Sequence, residues 1–555
     1  MPLRLPFGTS FPKSPVPQYN LGRHPKTLNA AVKGQWQVKA LADPPPPAWR
    51  RRDRLLVVSE RTRVALDRLR ERVRRDVGRD GLDAHQVAAG HLAWAFARAE
   101  AADACSEWAS EVGDELAHRL AAAAEEEALA FAEGRSLELG NRDLRTLLAI
   151  RRDLRPTEDL GAGEEHRLLR ATLRDFAERE IRPLARSIHR EDRDLPESII
   201  RGVADLGLFG LSVPEAYGGL QGATPDHRAM LIATEELSRA SLAAGGSLMT
   251  RPEILVRALL RGGTEEQKRR WLPAIARGEE MVAVAVTEPD HGSDVAGITC
   301  RAVPLPGGDW EITGTKLWCT FAGRAELLML LCRTSDAGHR GLSLFVVEKP
   351  AFPGHAFEHR QPGGGLLRGQ AIPTIGYRGM HTFELAFDRY RVPAIALVGQ
   401  DAWRDRGFYL QMEGFAVGRI QTAARAVGVM QAALEASAAY ALERRVFGRP
   451  VADHQLPAAM LGAMAARVEA ARRLSYRAAQ RLDGGDGQME AALAKLLASR
   501  AAELVTRDAV QLHGAMGYGE ESEVSRHFLD ARVLSIFEGT EEVLALRVIA
   551  RSLLA

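Results

Sequence analysis

Val284-Ala285-Val286-Thr287-Glu288-Pro289-Asp290-His291-Gly292-Ser293-Asp294 is the stretch at which the chain changes character. Met281–Val286 alternates small and β-branched apolar residues and then runs into a loop of Gly, Ser and Asp, which reads as a strand and its turn. Further strand-like runs follow at Trp310–Ile312, Leu327–Leu331, Leu342–Val347 and Thr382–Phe387, with Gly and Pro between them to about Gly399. The expectation is an antiparallel β domain over 281–400.

On either side the apolar residues recur at helical spacing. Upstream, helices are expected at Glu164–His189, Pro196–Leu206, Asp226–Ser238, Pro252–Leu260 and Glu265–Ala276, making a helical domain over 156–280. Downstream, long patterns over Gly407–Arg444, His454–Leu482, Met489–Gly514 and Glu541–Leu554 predict a C-terminal helical bundle over 401–555. Ahead of both helical regions, 50–155 is rich in Ala and Arg, carries Trp94 and Trp108, and reads as an extra all-helical domain with another helix at Arg142–Arg152. Residues 1–49 end in Pro44-Pro45-Pro46-Pro47 and read as an extended arm. The fold class is therefore multidomain α+β, with helices, sheet and bundle in separate domains.

Composition narrows the function. A chain of 555 residues exceeds one core, and its 46% hydrophobic and 26% charged residues are those of a globular protein. A net charge of +2 gives no reason to expect nucleic acid, and no apolar run is long enough to span a membrane. The Arg-rich helix after Arg50 has Asp53, Glu60, Asp67 and Glu71 interspersed, which fits a solvated, salt-bridged face. Four cysteines without a Cys-x-x-Cys pair indicate neither a zinc site nor a disulfide framework, and fit a cytoplasmic protein.

Several stretches carry chemistry. The loop ending in Ser293-Asp294 offers hydroxyls and backbone N–H groups to a polar ring or phosphate. Gly314-Thr315-Lys316-Leu317-Trp318-Cys319-Thr320 places an indole between hydroxyls, suited to a flat cofactor or to a core strand. Tyr440–Pro450 and Gln511-Leu512-His513-Gly514-Ala515-Met516-Gly517-Tyr518 contain an arginine and a Gly-rich helix end, suited to pyrophosphate or to an ordinary turn. Near the C-terminus, Leu534-Ser535-Ile536-Phe537-Glu538-Gly539-Thr540 sets a carboxylate in apolar surroundings that would raise its pKa toward that of a general base. A solvated carboxylate in the first turn of a helix is the alternative reading.

In this order the five segments resemble the acyl-CoA dehydrogenase flavoprotein family over about residues 160 to 553. The resemblance implies a helical domain, a β domain and a four-helix bundle, with FAD held between the last two. It implies that Val286, Thr287 and Ser293 line the flavin loop, with Ser293 also near the thioester, and that Trp318 and Thr320 cover the isoalloxazine. Arg444, Phe447, Gln511 and Gly514 match contacts to the adenine dinucleotide made across a subunit boundary, although Ala515 stands where Gly is usual. Thr540 matches a flavin-side contact, Arg419 a residue near the CoA pocket, and Glu538 the base that removes the α-proton of the acyl-CoA substrate. Some relatives carry the base one position before the arginine matched by Arg419; here that position is Gly418.

The long N-terminal extension, Ser247–Leu255, Tyr377-Arg378-Gly379-Met380-His381 and Gly418–Arg425 look most like members that oxidise (2S)-methylsuccinyl-CoA to mesaconyl-CoA. A distal carboxylate needs a cation when buried, and Arg251, Arg378 and His381 are the candidates. The resemblance further implies electron-transfer flavoprotein as acceptor and a homodimer or homotetramer. Another short or branched acyl-CoA, or a DNA-binding or scaffold flavoprotein of the same fold, are the alternative readings.

Overall fold

The structure is a computed structural model, in which residues 58–134, 149–150, 157, 159 and 161–554 are described. The proline-rich arm lies outside them, as does the helix expected over Arg142–Arg152 except for Ala149 and Ile150.

Helix α1 (Glu60–Asp80) starts at Ser59, whose hydroxyl accepts from the Thr62 N–H at 3.3 Å. It buries Leu66, Leu69 and Val73. Helices α2 (Gln86–Val112) and α3 (Glu115–Ala132) are alanine-rich, so their backbones approach neighbours closely on more than one side. They close no core of their own. Leu92, Ala93 and Ala97 share a cluster with the C-terminal bundle, and Trp108, Leu116 and Leu120 share another with Ala459 and Ala463. Polar ties reinforce this, with Arg477 donating to Asp103 and Glu100 at 2.7 Å and the Arg473 guanidinium 3.9 Å from the Trp108 ring. The segment expected to be a separate helical domain is a layer laid on the bundle.

The next helices are α4 (Glu164–Phe176), α5 (Arg182–Glu191), α6 (Glu197–Asp205), α7 (His227–Ala240), α8 (Thr250–Gly262) and α9 (Glu265–Ala276). A π turn, Ala177–Ile181, joins α4 to α5, so the single helix expected at Glu164–His189 is nearly continuous. Thr264 and Gln267 form a reciprocal capping box on α9. The Gln267 side chain then also donates to the Ile395 and Leu397 carbonyls at 2.7 Å, fastening the helices to the far end of the sheet region.

Eight strands follow: β1 (Val282–Ala285), β2 (Arg301–Pro304), β3 (Trp310–Thr320), β4 (Leu327–Arg333), β5 (Leu342–Glu348), β6 (Ala356–Arg360), β7 (Leu366–Ala371) and β8 (Thr382–Val392). Their order is β1-β4-β2-β3-β8-β7-β6, with β5 also on β4. The pairing is antiparallel except where β1 and β2 meet β4.

The bundle comprises α10 (Gly407–Glu443), α11 (Gln455–Asp483), α12 (Gln488–His513) and α13 (Glu523–Ala531), closed by a helical segment from Glu541 to Leu554. A short hairpin, β9 (Arg445–Val446) and β10 (Arg449–Pro450), links α10 to α11. At 37 residues α10 is about 55 Å long. It packs on α7, α8, α11, α12 and β5 and is buried continuously from Ala416 to Ala433, so side chains from every layer converge on its middle.

Candidate active site

Glu538 stands on α10's buried middle without belonging to it. It follows a turn of 3₁₀ helix (Arg532–Ser535) and takes a left-handed backbone, φ 55°, which costs a residue other than Gly about 1 kcal/mol or more. Its carboxylate is thereby held on α10. Oε1 accepts from Arg425 Nη2 at 2.7 Å and Oε2 from Thr422 Oγ1 at 2.6 Å, with the side chain 12% exposed. A Cβ on Gly418 would lie 3.0 Å from Oε2, so the absence of a side chain there makes room for the carboxylate. The carboxylate therefore rests on a guanidinium and a hydroxyl, not in the apolar surroundings that Ile536 and Phe537 suggest; Ile536 is itself half exposed. Arg425 also covers the Phe537 ring at 4.7 Å.

Cations surround this one carboxylate. Burial pushes Lys495 down to about 8, against the opposing pull of Glu538 and Glu541, and its Nζ donates to the Gly539 carbonyl at 2.7 Å. Burial likewise lowers Arg419 while Glu538 raises it, and Arg419 Nε has no hydrogen-bond partner. Arg251, buried at the start of α8, donates to Tyr377 Oη at 2.8 Å and the Ser247 carbonyl at 2.9 Å, both neutral. Just before it, Leu242–Gly246 forms a π turn, where Gly246 meets Ser238 too closely for any side chain.

Tyr377 links Arg251 to Glu538. Its ring meets Phe537 edge-on at 5.9 Å, and its N–H donates to buried Asp530 at 2.7 Å. Burial pushes the phenol up, yet Arg251 and Arg425, with hydrogen bonds from Ser247 and Arg251, bring it below its ordinary value.

A second group forms at the β3 edge. Glu288 accepts from Lys316 Nζ at 2.8 Å, from the Thr299 and Cys300 N–H groups at 2.7 and 2.9 Å, and from the Thr299 hydroxyl at 2.8 Å. Burial would raise this carboxyl, but Lys316 and those donors hold it below the usual range and fix the loop after β1. Leu317 N–H donates to Thr287 O at 2.8 Å, which sets Val286 and Thr287 beside Trp318 and Thr320. Ser293, on the same loop, is exposed.

Other expected residues lie elsewhere. Thr540 caps the closing helix, its hydroxyl accepting from Val543 N–H. Arg378 donates to the Thr374 and His189 carbonyls at 3.0 and 3.2 Å, and His381 faces Asp192, Asp194 and His355. Neither joins Arg251. Arg444, Phe447, Gln511 and Gly514 are all exposed and share one end of the bundle, where Tyr440 stacks on His513 at 4.4 Å. Nineteen residues of chain, about 28 Å along a helix, separate Arg425 from Arg444.

Matches to known proteins accord with this layout. The models for the N-terminal, middle and C-terminal domains of acyl-CoA dehydrogenase match residues 163–279, 283–390 and 405–554. The chain belongs to the acyl-CoA dehydrogenase family. It is 40% identical to (2S)-methylsuccinyl-CoA dehydrogenase of Cereibacter sphaeroides over 415 residues, 74% of this chain and 73% of that one. It is 36% identical to the bovine mitochondrial short-chain specific acyl-CoA dehydrogenase over 68% of this chain and 88% of that one. Among solved structures, butyryl-CoA dehydrogenase of Megasphaera elsdenii superposes with a TM-score of 0.66 at 30% identity, covering 71% of this chain and 99% of that one. A glutaryl-CoA dehydrogenase in complex with glutaryl-CoA does so with a TM-score of 0.63 at 31% identity, covering 69% and 93%.

This acyl-CoA dehydrogenase is thus a flavin-dependent oxidoreductase with FAD as cofactor. Its residues fit the group. Trp318 presents an indole 55% exposed from a bulge in β3, with the paired hydroxyls of Thr320 and Thr382, 3.0 Å apart, next to it. A large exposed indole among buried strand residues is the surface a flat ring system covers.

Reading the sequence singled out Glu538, Arg251 and Arg419 but assigned nothing to Arg425, Thr422, Tyr377 or Lys495. For Arg425 and Thr422 a signal existed, since Gly418, Thr422 and Arg425 recur at helical spacing on one face. Lys495 carried none, lying among alanines and leucines of a core helix.

Proposed function

We propose that this enzyme oxidises (2S)-methylsuccinyl-CoA to mesaconyl-CoA, with Glu538 as the base for the α-proton. One observation carries the reading. Three buried cations, Arg419, Arg425 and Lys495, act on the Glu538 carboxylate, with Glu541 also near Lys495, and buried Arg251, joined to them through Tyr377 and Ser247, has only neutral partners. A buried cation excess of this kind is costly unless an anion completes it. A substrate with a carboxylate at its acyl end supplies that anion, and the relative at 40% identity bears the name of such an enzyme.

In this reading Arg251 and Tyr377 bind the distal carboxylate and orient the acyl chain. Thr422 and Arg425 hold the Glu538 carboxylate toward the α-carbon, and Lys495 fixes the Glu538–Gly539 turn from behind. The Glu538 backbone N–H polarises the thioester carbonyl, a preorganised donor worth on the order of 3 kcal/mol. FAD, when bound, supplies the acceptor for the β-hydride. The α-proton passes to a Glu538 oxygen, and the electron pair left behind becomes the new double bond.

Arg444, Phe447, Gln511 and Gly514, exposed together at one end of the bundle, are proposed to serve the dinucleotide of a second copy in a homo-oligomer, with electron-transfer flavoprotein as a further partner. Phe447, 96% exposed, supports this. Electron-transfer flavoprotein is the proposed acceptor, and four unpaired cysteines suit the cytoplasm.

Anaerobic mixing of the flavin-loaded enzyme with methylsuccinyl-, butyryl-, isovaleryl- and glutaryl-CoA tests the proposal. Flavin absorbance should bleach fastest with methylsuccinyl-CoA. Faster bleaching with butyryl- or isovaleryl-CoA removes the role given to the cations, and faster bleaching with glutaryl-CoA keeps the carboxylate but changes the acyl chain.

A further inference from the structure

Away from this site, Asp192, His355 and His381 come together from three elements. Asp192 ends α5, His355 precedes β6 and His381 precedes β8. One potential ligand atom from each lies within 4.8 Å of the other two. A point central to three such atoms is within about 2.8 Å of each, so shifts of roughly 0.7 Å reach zinc-ligand distances. His355 Nε2 is 3.2 Å from Asp192 Oδ2, His381 Nδ1 is 3.6 Å from Asp192 Oδ1, and the two imidazoles are 4.1 Å apart between centroids.

His381 is over nine-tenths buried, and its Nε2 stands 2.9 Å from Asp194 Oδ1. The cluster also sits where α5 ends, and the free carbonyls of a helix C-terminus favour a cation.

We infer that Asp192, His355 and His381 form a binding site for a divalent transition cation of the zinc class. Two imidazoles and a carboxylate select zinc, cobalt or nickel over magnesium or calcium, which prefer oxygen alone. The site's place gives it a use. Gly354 N–H donates to Asp194 at 2.8 Å and Leu195 N–H to the Gly379 carbonyl at 3.1 Å, so the turn after α5 is already tied to the segment running from Tyr377 to His381. A cation there clamps that segment and, through it, Tyr377. It is a positioning site and takes no part in the chemistry.

The test uses the full-length, untagged, flavin-loaded enzyme, stripped with chelator, given equimolar zinc chloride and desalted. Atomic emission should find about one zinc per chain in the parent, and zinc should raise its Tm. His355→Ala, at an exposed residue, and Asp192→Asn should weaken zinc roughly 100-fold or more and abolish the Tm rise, with the flavin retained. Sub-stoichiometric zinc in the parent, or undiminished zinc in either variant, overturns the site.

Discussion

Two buried charge clusters flank the core of this molecule, and they are built on opposite terms. Between α4, α7 and α11, Arg170 meets Glu235 at 3.1 Å, Glu236 and Asp159, and Arg174 meets Glu236 at 2.9 Å. Arg472 meets Glu235 at 2.9 Å, Arg473 meets Glu469 at 2.8 Å, and the Tyr476 hydroxyl donates to Glu235 at 2.8 Å. Each of these four guanidinium groups has a carboxylate, while Arg228 nearby lies over the Tyr476 ring. Around Glu538 the cations Arg419, Arg425 and Lys495 outnumber the carboxylates of Glu538 and Glu541, and Arg251 beside them has neutral partners only. The first cluster is complete in the chain as folded, so it spends its charge on structure. The second leaves Arg251 without a carboxylate, which supports the proposal that a ligand's anion completes it.

Glu538→Gln puts the greatest strain on this contrast. It keeps the shape and removes the acceptor of the proton, so flavin reduction by methylsuccinyl-CoA should slow by about 10²–10⁴-fold with FAD retained; reduction at the parent rate would move the base elsewhere. Arg170→Met attacks the balanced cluster instead. Glu235 and Glu236 lose a shared cation, and stability should fall by about 3–5 kcal/mol in denaturant titration. Turnover per folded, flavin-loaded molecule should not change, and a change would erase the distinction between the clusters.

Arg251→Met inverts that pattern. Stability should hold or rise, because a buried cation without an anion is lost, while kcat/KM for methylsuccinyl-CoA should drop roughly 100-fold. Activity on butyryl-CoA should stay within a few-fold, and an equal loss on both substrates would make Arg251 structural. The smallest expected effect is on the pH profile of stability. Lys495 is held at about 8 by burial, below its unfolded value. Below pH 8 both states carry the proton; between the two values only the unfolded chain does, so stability should rise with pH across that window, by up to about 3 kcal/mol. Lys495→Met should flatten the rise.

Much of the fold was legible because periodicity reports burial. The helix at Glu265–Ala276 has the bounds the pattern predicts, and the bundle helices fall within a residue of theirs. The strands β2, β6 and β7 were not read, because their exposed residues, such as Arg301, Glu358 and Gln370, break the apolar run. Strand β3 joins the run at Trp310–Ile312 to the Gly314–Thr320 stretch, and Thr313-Gly314-Thr315-Lys316, with the composition of a turn, hides that continuity; Gly314 lies against Cys300 where no side chain fits. At the site, motif order picks out Glu538, but its partners come from 116 and 113 residues away, at distances fixed only by packing. Glu541 is buried and paired with Arg500, which lies 5.3 Å from the Trp94 ring, so it joins the closing helix to α2.

That junction belongs to the helical layer over the bundle. Butyryl-CoA dehydrogenase of Megasphaera elsdenii is matched over 99% of its length by 71% of this chain, so nothing in it corresponds to most of the layer. In the language of point groups, a face of the protomer is a generator of symmetry, and each face occupied by the chain's own helices is one generator fewer. Here α2 and α3 occupy the α11 face. Among the described residues, the end bearing Phe447 and Tyr518 stays exposed, and it is the face offered to a second copy in the proposed homo-oligomer.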